Sequence, residues 1–441
     1  KFFQMYYPLQ ANIIIMFWLN FVILSNMKTV IKNISQLVQF DDQNLNFRAG
    51  NDMNCLNTID NAYIEIENGK ISNFGDMDEW SGISDWNSTT IIDANEGLVL
   101  PTFCDSHTHL VFAESRESEF NDRINGLSYQ EIAQNGGGIL NSAKKIHQID
   151  EEILYERSLK RLNKLIKLGT GAIEIKSGYG LSVESELKIL RVIKKLKETT
   201  PICIKSTFLG AHAVPEKYKK NKKEYIELII DEMLPEIASN DLADYIDIFC
   251  EEGYFTNEDT IRILQAGKKY NLQGKTHVNQ FNSLGGVKSS IDNDSLSVDH
   301  LEIMKEDDFL AFKDSKTIAT ILPSCSFFLG IPYSPAKEFI SRNIPINLAS
   351  DYNPGSSPSG NMNLVASLGS IKLKMNAQQV INATTLNGAY AMGLEKELGT
   401  ISIGKIANLI ITKPIPNYQY LHYSFGENLI DKVIIAGEEY K

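Results

Sequence analysis

Three features of the sequence predict an α/β fold, a TIM-type (β/α)8 barrel carrying a small β-sandwich built from both chain ends. Eight strand-like runs alternate with amphipathic helical stretches through the middle of the chain, the pattern of βα units and a parallel sheet. Short β-runs separated by turns occupy both ends and are too small and too strand-rich to belong to that repeat. The length, 441 residues, suits a barrel with an added module. Hydrophobic residues make up 43% and charged residues 22%, the balance of a soluble globular enzyme and not of a disordered chain.

The first 26 residues stand apart. Residues 13–24 are apolar but fall short of the roughly 18 that suggest a spanning helix. Small Ala-x-Ala-like cleavage residues are missing, and only Lys1 is basic upstream of the run. This segment is expected to be an extension outside the fold, with Met27 as the start, or alternatively a leader. From residue 28 to 97 the expected strands are 29–34, 62–67, 70–74 and 90–93, with Asn68-Gly69 as a two-residue hairpin signal and 41–61 as a polar loop. Runs 407–412 and 429–436 return to this pattern, so 28–97 and 401–441 are expected to pair into the sandwich. The barrel is expected over 98–400, with strands at 98–104, 172–176, 202–209, 245–250, 272–276, 296–298, 317–322 and 345–349. Between the first two, residues 151–168 read as a helix with Ile153, Leu154, Leu162, Leu165 and Ile166 on one stripe.

A TIM-type barrel builds its active site at the carboxyl ends of its strands. Five of the seven histidines fall there: His107 and His109 after the first strand, His212 after the third, His277 after the fifth and His300 after the sixth. The eighth ends in Asp351-Tyr-Asn353-Pro-Gly355-Ser356-Ser357. Side chains at i and i+2 of an extended chain share a face, so His107 and His109 can grip one ion. Three histidines and a carboxylate, His107, His109, His277 and Asp351, make a shell for one catalytic Zn²⁺ or iron (Fe²⁺/Fe³⁺) ion with a position left for water. Such an ion lowers the pKa of water, Asp351 can relay its proton, and His300 can hydrogen-bond the water or a developing oxyanion. Arg116 can fork onto a substrate carboxylate or simply pair with Glu114 or Glu119. The Gly355-Ser356-Ser357 turn is expected to offer open backbone N–H groups to an anion. Gly136-Gly137-Gly138 lacks the Lys and the spacing of a phosphate loop, and Lys217–Lys223 reads as a solvated segment. His147 and His422 receive no role.

The net charge of −12 argues against a nucleic-acid partner, since phosphate binding wants a basic face. Five scattered cysteines without a Cys-x-x-Cys suit a reducing cytoplasm better than a disulfide framework.

The motifs Asp105-Ser-His-Thr-His-Leu-Val-Phe112, Phe208-Leu-Gly-Ala-His212, Phe281-Asn-Ser-Leu-Gly-Gly286, Phe327-Phe-Leu-Gly-Ile-Pro-Tyr-Ser-Pro335 and Ser350-Asp-Tyr-Asn-Pro-Gly-Ser356 together resemble the imidazolonepropionase family of the amidohydrolase superfamily. The resemblance runs from residue 28 to the C-terminus. It implies hydrolysis of 4-imidazolone-5-propanoate to N-formimidoyl-L-glutamate in histidine degradation, on one zinc or iron ion, by a homodimeric cytoplasmic enzyme without membrane or nucleic-acid partners. By position it implies His107, His109, His277 and Asp351 as metal ligands, and Arg116, Tyr179, His212, Gln280, Asn353, Gly355 and Ser356 as substrate contacts. The sequence departs at Gln280, where many relatives in the wider superfamily, and some in the family, carry Glu. A neutral amide cannot take a proton, so general-base work falls to Asp351 and His300. Ser106 stands where Pro is common. The competing expectations are another cyclic amidohydrolase, an aminoazine deaminase, or a barrel retained as a non-catalytic scaffold.

Overall fold

The computed structural model describes residues 28–41, 43, 45–127, 131 and 137–441. The apolar run 13–24, Met27 and Gly136 lie outside the described residues. No helix among the described residues is long and apolar enough to cross a membrane.

The terminal sheet begins with β1 (Lys28–Phe40), β2 (Asn57–Glu67), β3 (Lys70–Asp76), β4 (Thr89–Asp93) and β5 (Leu98–Pro101). β1 runs well beyond the expected 29–34, and β2 starts inside the expected loop. The cause is a bulge in β1 between Ile31 and Ile34, where Asn33 takes φ 55°. The bulge resets the in–out alternation, so a strict period of two ends there while the strand continues. Asn68 and Gly69 have φ 52° and 76°, the left-handed pair of a tight hairpin.

The barrel strands are β6 (Phe103–Asp105), β7 (Thr170–Lys176), β8 (Cys203–Ala211), β9 (Tyr245–Cys250), β10 (Gln273–Val278), β11 (Ser297–His300), β12 (Ile318–Ile321) and β13 (Ile346–Leu348). They form one parallel sheet in sequence order from β6 to β13. The chain then returns to the terminal sheet as β14 (Leu409–Thr412), β15 (Ile430–Ile435) and β16 (Glu438–Glu439). There β14 pairs with β5, and a bridge between Lys70 and Ile406 brings the sheet round on itself. Ile31, Leu37, Ile64, Val99, Leu409 and Ile434 fill the separate core so enclosed.

Two expectations need correction. The apolar run 98–104 is not one strand: Leu98–Pro101 belongs to the terminal sheet and Phe103–Asp105 to the barrel, with Thr102 between them. Hydrophobicity alone cannot mark the change, because both halves are buried. The helix runs over Glu151–Lys167, capped by Asp150, but Ile153 is 45% exposed. Leu154, Ser158, Leu162 and Leu165 form the buried stripe at spacings of four, four and three, and Ile153 lies about 100° round the helix from Leu154.

At the junction of sheet and barrel His422 is buried beside Leu100, Phe103 and Ile410, with no hydrogen bond to Nδ1 among the described residues. Burial pushes its pKa down from 6.5 to about 4. The unfolded chain therefore takes up a proton below 6.5 that the folded chain refuses. Stability from this group is complete above pH 6.5 and is lost as pH falls towards 4, by on the order of 3 kcal/mol. Between those values the Tm of His422→Leu is expected to fall less steeply with acid than that of the parent chain.

Candidate metal centre and substrate pocket

The candidate site lies at the barrel's seam. β6 and β13 are joined at their carboxyl ends by backbone bonds from Asp351 N to His107 O (3.0 Å) and from His109 N to Tyr352 O (2.8 Å). Below these, Ser350 N (2.9 Å) and Oγ (2.6 Å) both donate to the Asp105 carboxylate. The closure that completes the barrel thus sets the two histidines in register with Asp351.

Ligand atoms of His107, His109 and His277 lie within 4.8 Å of one another, all buried. Asp351 Oδ1 stands 3.6 Å from His107 Nε2 and 3.8 Å from His109 Nε2, and His277 Nε2 is 3.3 Å from His109 Nε2. Each ring is held from behind. His107 Nδ1 donates to Asp299 (2.6 Å), His277 Nδ1 to Asp247 (3.0 Å) and His109 Nδ1 to the Ser177 carbonyl (3.3 Å). Carboxylates and carbonyls behind the rings fix the tautomer and aim each Nε2 lone pair inward, as in metal sites. Burial holds all three pKa values well below the ordinary histidine value, assisted for His107 and His277 by Lys176. Neutral rings keep those lone pairs, and the buried His107 Nε2 has no hydrogen-bond partner among the described residues. The donor set fits a divalent cation of the zinc or iron kind.

The supporting acids were missed in the sequence reading. Asp247 sits in the middle of β9, and Asp299 in β11 beside His300. Lys176 ties them together, 2.8 Å from Asp247, 3.5 Å from Asp299 and 2.6 Å from Glu174. Glu174 also pairs with Lys275. The available signal was charge at every second position of an apolar run, as in Ala172-Ile-Glu-Ile-Lys176. In a barrel strand that period points the charges at the axis.

Asp351 has φ 52° and His300 φ 87°, backbone conformations costly for such residues and common at functional sites. Burial raises the Asp351 pKa to about 6, although His300 and hydrogen bonds from Asn353 and Cys325 oppose it. For His300 burial acts downward, but Glu302 and Asp351 outweigh it and raise the pKa above the ordinary value.

His300, Asp351, Arg116, Tyr179, His212, Gln280, Asn353 and Ser356 line one pocket with His109 and His277. His212 donates Nδ1–H to the Gly178 carbonyl (3.0 Å), and burial lowers its pKa to about 4, so it meets the pocket as a neutral ring. Glu186 accepts the backbone N–H groups of Gly178, Gly180 and Leu181 at 2.7–3.0 Å, fixing the loop that carries Tyr179. Arg116 is buried, and the structure shows its pairing with Glu119. Its Nε and Nη2 donate to Glu119 at 2.8 and 2.5 Å, while it still lines the pocket. Gly355 is required for that position, since a Cβ there would lie 2.1 Å from Arg116 Nη1.

The turn after β13 differs from expectation. The N–H groups of Gly355 and Ser356 are not open to an anion, because both donate to Asn353 Oδ1 at 2.8 Å. Asn353 Nδ2 in turn donates to the Asp351 carbonyl (2.6 Å) and to Ser356 Oγ (2.8 Å). An Asn two residues before a turn competes for its own backbone amides, so this loop spends its donors on holding Asp351. His147, without an assigned role, bonds the Gly180 carbonyl.

The amidohydrolase family model matches residues 98–439, which gives the class: an amidohydrolase on a parallel barrel whose histidines and aspartate converge at one rim as a candidate metal centre. Imidazolonepropionase of Flavobacterium johnsoniae is 55% identical over 412 residues, 93% of this chain and 100% of the relative. That of Clostridium tetani is 39% identical over 408 residues, 92% and 97% of the two chains. The chain belongs to the imidazolonepropionase family. Among solved structures, Escherichia coli guanine deaminase superposes with TM-score 0.71 at 14% identity, covering 94% of this chain and 98% of that one. A zinc-bound adenosine deaminase of Xanthomonas campestris gives 0.69 at 14%, covering 94% and 92%. At that identity these share the fold.

Proposed function

We propose that this chain opens the ring of 4-imidazolone-5-propanoate to N-formimidoyl-L-glutamate, with His107, His109, His277 and Asp351 holding one zinc or iron ion. The observation that carries the reading is the convergence of three neutral, back-supported imidazoles and Asp351 on one point beside a pocket containing a buried Arg. When bound, the ion lowers the pKa of water and polarises the lactam carbonyl. Asp351, at the edge of that centre, accepts a proton from the attacking water. The C–O bond forms as the ring C–N bond breaks, and Asp351 returns the proton to the departing ring nitrogen. His300, kept proton-rich by Glu302, hydrogen-bonds the carbonyl oxygen as negative charge develops. Gln280 gives Nε2–H to Cys325 Sγ at 3.4 Å, which turns its carbonyl oxygen towards a ring N–H. The neutral His212 ring and Tyr179 close the opposite wall.

Arg116 meets the propanoate from the pocket wall, with Glu119 holding its Nε and Nη2. The test is loss of imidazolone absorbance with purified, metal-loaded protein, run beside Arg116→Ala. Turnover that disappears on metal removal is expected. The variant should raise KM about 10- to 100-fold with a smaller change in kcat, as for losing a charged hydrogen-bonded pair worth about 1.5–3 kcal/mol. Imidazolone turnover untouched by Arg116→Ala would remove Arg116 from the carboxylate contact. Absence of imidazolone turnover by the metal-loaded parent would instead favour a substrate without a carboxylate, such as an aminoazine.

A further inference from the structure

We propose that His300, Glu302 and Cys325 form a second cation site, which takes a soft divalent ion such as zinc, cadmium or cobalt and thereby inhibits the chain. Their ligand atoms lie within 4.8 Å of one another and all three residues are buried. Glu302 supplies the pointer to a ligand. Its Oε2 is buried without a hydrogen-bond partner among the described residues, and the residue is only 4% exposed. The contacts to its Oε1 are long, 3.3 Å from His300 Nδ1 and 3.4 Å from Ser326 Oγ. A buried carboxylate oxygen left in that state is costly, and a cation would satisfy it.

The backbone explains the cluster. His300 and Leu301 both take left-handed φ, 87° and 66°, which turns the chain so that His300 and Glu302 meet. Cys325 comes from the helix Pro323–Leu329, which follows β12. One nitrogen, one carboxylate oxygen and one sulfur suit zinc, cadmium or cobalt and disfavour magnesium or calcium, which want oxygen alone. Binding takes Cys325 as thiolate, its proton leaving to solvent. The ion would withdraw His300 from the carbonyl oxygen it is proposed to meet, so occupancy stops turnover. The binding readout does not depend on which substrate the enzyme takes.

The experiment titrates metal-loaded protein with Co²⁺ or Cd²⁺ in a Cys55→Ser background, which removes the exposed thiol. Bound equivalents, the near-ultraviolet thiolate-to-metal absorption and turnover are followed together. One further equivalent per chain is expected, with the thiolate band rising and turnover falling in step. Cys325→Ser, Cys325→Ala and Glu302→Gln are run alongside, each checked for fold by near-ultraviolet circular dichroism. The Cys325 variants should lose the band and the second equivalent while keeping the first, and Glu302→Gln should weaken the second. Saturation of the parent at one equivalent, a second equivalent that leaves turnover intact, or a band surviving in a folded Cys325 variant overturns the proposal.

Discussion

Asp351→Asn is expected to lower kcat/KM by about 10³-fold or more, the loss of a general base being worth about 10²–10⁴ and that of a ligand adding to it. The substitution preserves the side chain's shape and the Asn353–Ser356 turn beneath it, so the fold should survive. What changes is the oxygen 3.6 Å from His107 Nε2 and 3.8 Å from His109 Nε2. An amide carries no negative charge to hold a cation and cannot accept a proton. The two roles separate on adding metal. If Asp351 were a ligand alone, excess metal would restore most of the activity. If it also moves the proton, a fully loaded variant stays deeply impaired. Gln280 makes the test sharper, because no carboxylate occupies that position to take over the base's work. Activity within about tenfold of the parent at full loading would remove Asp351 from the proposed chemistry.

The parts of the site legible in the sequence were those where polarity interrupts an apolar run at its downstream end. His107, His109, His277, His300 and Asp351 all do so, and a barrel gathers the downstream ends of its strands on one rim. The supporting layer was illegible for the opposite reason. Asp247, Glu174, Lys176 and Lys275 lie within strands, where charge reads as a weakness in the pattern until the barrel axis is known to be lined by it. The β5–β6 division escaped notice because both halves of 98–104 are equally buried. The Asn353 turn was misread because its composition fits two outcomes, amides offered outward or amides taken by the Asn itself, and only geometry separates them.

The buried Lys176 gives the other large expected effect. Lys176→Met keeps the length and apolar body of the side chain but leaves Glu174, Asp247 and Asp299 with Lys275 as the remaining ammonium of the cluster. Burial alone would lower the Lys176 pKa, yet Asp247, Glu174 and Asp299 raise it above the ordinary lysine value, so the parent carries a positive charge here. Removing one partner of a buried ionic cluster costs about 3–5 kcal/mol, and the Tm of the metal-free variant should fall accordingly. Burial first, and this charge second, keep His107 and His277 neutral, so in the metal-free variant both ring pKa values should move up towards the ordinary histidine value. A divalent ion brings positive charge back to those rings and to Asp247 and Asp299 behind them. Metal loading is therefore expected to narrow the gap in Tm between variant and parent. A side chain that merely fills space would leave the same gap with and without metal, and that equality, or a metal-free variant as stable as the parent, would show that Lys176 does not hold the two carboxylates for the metal centre.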